Sequence, residues 1–122
     1  MIARLLAIAA LVFALTASAD AQSKGPNGGV VVQADDHPVE FVHSNQEIVF
    51  YIGDHDGTPL PTKGLQARAT IQVGGKTVNL TLSPAEPNKF VGKLSAPLGP
   101  KARVIFSSRV QGHALQVRFV TD

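Results

Sequence analysis

Cysteine and tryptophan are absent from the 122 residues, and methionine occurs only at position 1. The lack of thiols excludes disulfide staples and a cysteine nucleophile, so a stable fold has to come from packing alone. With no Cys, and no Met beyond Met1, a soft copper(I) site of thiolate or thioether type is excluded as well. None of the few serines sits in a nucleophile elbow, and no glycine-rich loop lies between a strand and a helix to cradle phosphate. Catalysis is therefore not expected. Charge is sparse too: eleven Lys and Arg against nine Asp and Glu give +2, too small an excess to indicate nucleic acid or an anionic membrane. Past the leader, no stretch approaches the roughly 20 apolar residues that a membrane span needs, so no insertion of the mature chain is expected.

What is present begins with an export signal over residues 1–21. Arg4 supplies a positive charge, Leu5 to Leu15 is an apolar run too short to span a bilayer, and Ala19-Asp20-Ala21 offers small residues where a signal peptidase needs them. Cleavage after Ala21 would leave Gln22 first; Ala17-Ser18-Ala19 is a second site that would leave Asp20. No cysteine follows either site, which excludes lipid attachment there. The product is expected in a bacterial periplasm, or secreted. It loses Arg4 from the eleven bases and Asp20 from the nine acids, and so keeps a net charge of +2. What remains is enough chain for one core and too little for a second domain. Residues 22–29 read as a flexible lead-in and 30–122 as one β domain.

Along that domain, short apolar runs alternate with turn residues and no window has a 3.6-residue period, which reads as all-β. Hairpin registers are a stringent test, because a one-residue slip turns every side chain to the wrong face. A two-residue turn at Gly74-Gly75 pairs Ile71 with Val78, Ala69 with Leu80 and Ala67 with Leu82, and leaves Arg68, Thr70, Gln72, Thr77, Asn79 and Thr81 opposite. A turn at Gln111-Gly112 pairs Phe106 with Val117, Val104 with Phe119 and Ser108 with Leu115, with Arg103, Arg109 and Arg118 outward. A third hairpin joins Val39–His43 to Glu47–Ile52 and puts Val39 and Phe41 on the face of Phe50 and Ile52. With Val30–Gln33 and Lys89–Leu94 this makes about eight short strands. The expected fold is an antiparallel two-sheet sandwich of immunoglobulin-like type, without the Cys and Trp of a true immunoglobulin domain. Ile71, Val78, Leu80, Val104, Phe106, Val117 and Phe119 are expected inside.

Histidine is the residue type that bears most on chemistry. If consecutive strands alternate in direction, the Asp35-Asp36-His37 corner, the Asp54-His55-Asp56 turn and the Gly112-His113 turn fall at one end of the domain, while His43 falls at the other. His37 and His43 lie about 20 Å apart at ~3.4 Å per strand residue, too far to share an ion. The candidate metal ligands are therefore His37, Asp54, His55, Asp56 and His113, and imidazole with carboxylate suits Cu(II), Ni, Co or Zn. The other reading is that Asp, His and Gly are here as ordinary turn formers. Glu40 and Glu47 read as outward strand residues. The Gly25-Pro26-Asn27-Gly28-Gly29 segment is either a flexible approach to the first strand or a nest of backbone amides for an anion. Lys93, Lys101, Arg103, Arg109 and Arg118 form a weak basic face, which lacks the exposed aromatics of a nucleic-acid platform.

The order of these segments is also informative. Gly25-Pro26-Asn27-Gly28-Gly29, then His37-Pro38-Val39-Glu40-Phe41-Val42, then Tyr51 through Asp56-Gly57 to Pro59-Leu60-Pro61-Thr62-Lys63-Gly64, then Gly74-Gly75-Lys76, resembles small exported bacterial proteins and the N-terminal β domain of periplasmic adaptor subunits of heavy-metal efflux pumps. The resemblance implies a β-sandwich and an association with metal handling. Where family members often have a histidine before the Gly-Pro-Asn-Gly-Gly segment this chain has Lys24, and His37 lies one position away from the family's second histidine. Two functions follow as expectations. One is a non-enzymatic periplasmic protein with weak divalent-metal binding in envelope metal homeostasis or efflux, partnered by an efflux-pump or other envelope protein. The other is a protein-interaction module of the cell envelope with no metal site.

Overall fold

Three two-residue turns set the strand registers. At Asp35-Asp36 (φ 46 and 67), Gly74-Gly75 (φ 56 and 77) and Gln111-Gly112 (φ 51 and 79) both central residues hold positive φ. Type I′ hairpin turns require that conformation, and their twist matches that of the strands they join. In the computed structural model, which describes residues 22–122, these turns join strands in the element order β1 (Ser23–Lys24), β2 (Val30–Ala34), β3 (His37–His43), β4 (Glu47–Ile52), β5 (Ala67–Val73), β6 (Lys76–Ala85), β7 (Lys89–Lys93), β8 (Arg103–Val110) and β9 (His113–Val120). The expected leader and both cleavage sites lie outside the described residues. Among the described residues no helix is long and apolar enough to cross a membrane.

The all-β, antiparallel expectation holds, and hydrogen bonds join all the strands in one sheet of order β1-β2-β3-β4-β7-β6-β5-β8-β9. The sheet is continuous because β6 changes partner partway along: Lys76–Leu82 pair with β5, and Ser83–Ala85 pair with β7. Pro84, which has no N–H to donate, lies just past the switch. The sheet curls so that β2 approaches β9, and the two halves, β1-β2-β3-β4-β7 and β6-β5-β8-β9, face each other across the core. The three hairpin registers are those expected: Ile71 with Val78, Phe106 with Val117, and Val39 with Ile52.

Aromatic rings fill the space between the halves. Phe50 of β4 packs on Phe106 of β8 with ring centroids 4.7 Å apart, and Phe41 of β3 lies 5.1 Å from Phe119 of β9. Phe50, Phe90 and Phe106 are fully buried, with Val39, Ile48, Ile52 and Val104 around them. Of the residues expected inside, Ile71, Val104, Phe106, Val117 and Phe119 are buried and Leu80 is half-buried. Val78 is a correction, at 47% exposed. Its inward parity is right, but β6 from Lys76 to Leu82 has a ladder on the β5 side only. Near the Gly74-Gly75 turn it is an edge, and Val78 overhangs the core there.

Candidate functional site

The Asp54-His55-Asp56 turn follows β4 and is built by its own carboxylates. Asp54 Oδ1 accepts from the backbone N–H of His55 at 2.8 Å and from His55 Nδ1, also at 2.8 Å, while Asp56 Oδ1 accepts from Thr58 N–H at 3.0 Å and Thr58 Oγ1 at 2.6 Å. These bonds hold both carboxyls below the ordinary aspartate value, in Asp54 chiefly through the His55 N–H and in Asp56 chiefly through the Thr58 hydroxyl.

The remaining expected ligands are spread around this turn. His37, at the start of β3, is buried, and its Nδ1–H donates to Gly53 O at 3.0 Å. A carbonyl can only accept, so this contact fixes the tautomer. His113 Nδ1 approaches Asp35 Oδ2 at 3.7 Å, which puts the β8–β9 turn beside the β2–β3 turn. His43, at the far end of β3, stacks on Phe41 with centroids 5.3 Å apart. The five candidates are thus engaged separately: Asp54 with His55, Asp56 with Thr58, His113 with Asp35, and His37 with a main-chain carbonyl. Among the described residues no group of three or more His, Asp or Glu side chains converges as a metal centre requires.

Glu40 is a second correction to the sequence reading. It points away from the apolar core as expected, between Val39 and Phe41, yet it is only 4% exposed. The Gly25–Gly29 loop folds over it. Glu40 Oε2 accepts from Asn27 N–H and Gly29 N–H at 2.9 Å each, and Oε1 accepts from Asn27 Nδ2 at 2.9 Å. The loop is closed by Gly25 N–H donating to Gly29 O at 2.9 Å. The amide nest is real, and its anion is the protein's own carboxylate. The glycines permit the approach, since a Cβ at Gly25 would overlap the Glu40 carboxyl and one at Gly29 would overlap the Phe41 carbonyl oxygen. Glu40 therefore has little capacity left for an external ligand, although it floors a shallow groove lined by Pro38, Tyr51, Pro59 and Pro87.

The outer face of β6-β5-β8-β9 is a feature that sequence reading saw only in part. Arg103, Arg109 and Arg118 project from it as expected, and Arg68 of β5 joins them, all four exposed. Lys93 belongs to β7 and Lys101 precedes β8, so neither is part of this face. Cross-strand rows run Thr77-Gln72-Arg103-Val120, Asn79-Thr70-Ile105-Arg118 and Thr81-Arg68-Ser107-Gln116. No residue of β5, β6, β8 or β9 is acidic, and the residues of these rows are exposed except for half-buried Thr70, Ile105 and Ser107.

No family model matches the chain, and neither the curated proteins nor the solved structures contain a match to it.

Proposed function

We propose that the protein is a non-enzymatic module of the bacterial periplasm, released from its leader, which works by docking onto another envelope protein. The two halves of the curled sheet are read as the faces of an immunoglobulin-like sandwich. The observation that carries the docking reading is the outer face of β6-β5-β8-β9, four adjacent strands with a packed core behind them and, in front, mainly polar rows without Asp or Glu that also present Ile105 and exposed Val120. A rigid sheet presents such a face at little ordering cost on association.

The test is site-specific photo-crosslinking in exporting cells, with the photoreactive residue at Gln72 or Gln116 on this face and at Lys89 on the other half. Discrete adducts from Gln72 and Gln116 in the periplasmic fraction are expected, with an intact mass that starts at Gln22 or Asp20. Unmodified monomer from every position would remove the docking reading, and a product retaining Met1 in the membrane would remove the export reading.

Divalent-metal binding is the second reading, favoured by the orientation of two imidazoles. His37 and His55 each engage Nδ1, with a carbonyl and a carboxylate respectively. Metal-binding histidines are commonly oriented in this way, with Nε2 left as the ligand atom. Zinc, nickel or copper(II) would then perturb His37, Asp54, His55, Asp56 and His113 and spare His43. Binding would weaken on acidification, because a metal-bound imidazole must be neutral. Histidine NMR shifts during a metal titration check both points, and an equal response at His43 would defeat this reading.

A further inference from the structure

We propose that the partner of the outer face of β6-β5-β8-β9 is a carboxylate-bearing protein segment, taken by Arg68, Arg103, Arg109 and Arg118. The proposal rests on the docking reading above and names the chemistry of what docks. Charge in this molecule is divided by strand. The acidic residues among those described lie in the β2–β4 half and its turns, at Glu86 between β6 and β7, and at Asp122 beyond the end of β9. Among the described residues the ion pairs are His55 with Asp54 and His113 with Asp35, so no Asp or Glu, Asp122 included, lies within 4.0 Å of an arginine. The four guanidinium groups have no carboxylate within ion-pair distance among the described residues, and all four arginines are exposed.

Their arrangement fits extended peptide. Arg103 pairs with Val120, so Arg118 is its diagonal neighbour; Arg68 pairs with Ser107, so Arg109 is its diagonal neighbour. Diagonal positions on a sheet lie about 7–8 Å apart, close to the roughly 7 Å between alternate side chains of an extended strand. A segment with acidic residues at alternate positions could therefore meet both members of a pair. All four cations are arginine, whose planar fork holds a carboxylate through two parallel hydrogen bonds as lysine cannot. Protein interfaces are enriched in Arg and depleted in Lys, Asp and Glu, and in these respects the face resembles one. Half-buried Ile105 sits at its centre. No aromatic side chain occupies an outward position of these strands, so bases and sugar rings find no stacking platform.

The experiment uses the exported chain and poly-L-glutamate as probe, with inorganic polyphosphate and single-stranded DNA as anions of other classes, followed by amide NMR and calorimetry at about 50 mM and about 150 mM NaCl. Saturable poly-L-glutamate binding is expected, with shifts centred on Arg68, Thr70, Arg103, Ile105, Gln116 and Arg118. The R103Q/R118Q variant should weaken it by about tenfold, while K24Q/K93Q, the same charge change off this face, leaves it within about twofold. R103K/R118K keeps the charge and should still lose several-fold. Equal weakening by K24Q/K93Q, shifts on the other half, no saturable binding, or tighter binding of polyphosphate or DNA would each overturn the assignment. Crosslinks from Gln72 and Gln116 that persist in R103Q/R118Q cells would do so too while leaving the docking reading intact; loss of those crosslinks supports both.

Discussion

Removing the carboxylate at position 40 separates its roles as charge, as acceptor and as filler. In Glu40→Ala the three donors now bound to it lose their partner. Asn27 is exposed, so water can replace the bonds to its N–H and Nδ2, but Gly29 is buried and its N–H is left unmet. One orphaned buried donor together with the loss of a charge-assisted bond costs about 2–3 kcal/mol. Glu40→Gln is a different perturbation. The amide oxygen can stand where Oε2 stood and accept from both backbone N–H groups, while the new NH2 faces Asn27, whose side chain can turn over to accept. All three bonds persist in neutral form, and the desolvation cost of a buried charge disappears. Gln should therefore fall within about 1 kcal/mol of wild type and Ala well below it. Urea unfolding at constant m-value measures both, and exchange of the Gly29 amide reports whether the loop has let go. If Ala loses less than about 0.5 kcal/mol, or Gln and Ala lose the same, the amide nest does not hold the loop in the way argued.

Phe106→Ala opens a void beside Phe50 and Phe90 and should cost about 3–5 kcal/mol in denaturant unfolding; a loss under about 1 kcal/mol would mean that the ring is not in a packed core. Asp36→Gly relieves a left-handed residue in the β2–β3 turn (φ 67), for a net gain of about 0.5 kcal/mol after the entropy of glycine is subtracted, and a lower denaturation midpoint would contradict that. The Asp54 and Asp56 carboxyls, followed by NMR, should titrate below the ordinary aspartate value. Because the folded values are depressed, the stability they contribute is present above the unfolded value and lost as pH falls through the folded one. Thr58→Val should return Asp56 toward the ordinary value and leave Asp54 low.

The β5–β6 and β8–β9 hairpins were legible because each carries its register locally, with two residues of positive φ at a turn and apolar residues in step on both sides of it, whereas β3–β4 was legible from the apolar parity of Val39, Phe41, Phe50 and Ile52 alone. Val78 shows where local parity stops being informative. Which face it takes follows from Ile71 opposite, but whether that face is covered depends on a strand beyond β6, and none pairs there until Ser83. Glu40 fails for the complementary reason. Its outward parity was read correctly, yet burial came from a loop that folds back over the outer side, and the only signal was the glycine-rich segment itself. The arginine face needed β5 placed beside β8, a pairing of Ala67 with Ser108 across some forty residues of chain. Before that pairing is known, Arg68 and Arg109 belong to unrelated hairpins. That the β2–β3 and β8–β9 turns lie side by side, with His113 beside Asp35, was legible from strand direction, but strand direction says nothing about whether side chains converge on a point.

The change of partner within β6 bears on how the molecule comes apart. The strand belongs to the β5 ladder over its first seven residues and to the β7 ladder over its last three, so neither half can open without fraying an element of the other. Local opening in β-proteins commonly follows hairpins that peel away as separate units. Here the two halves share a spine, and their amides should exchange with one common opening free energy; two well-separated plateaus would show that the spine does not couple them. Circular permutants extend the same point. New termini in the Gly74-Gly75 turn keep β6 whole, whereas new termini between Leu82 and Ser83 divide the strand at its joint and leave two sheets held by side-chain packing across the core, such as Phe50 on Phe106 and Phe41 on Phe119, and no longer by a shared strand.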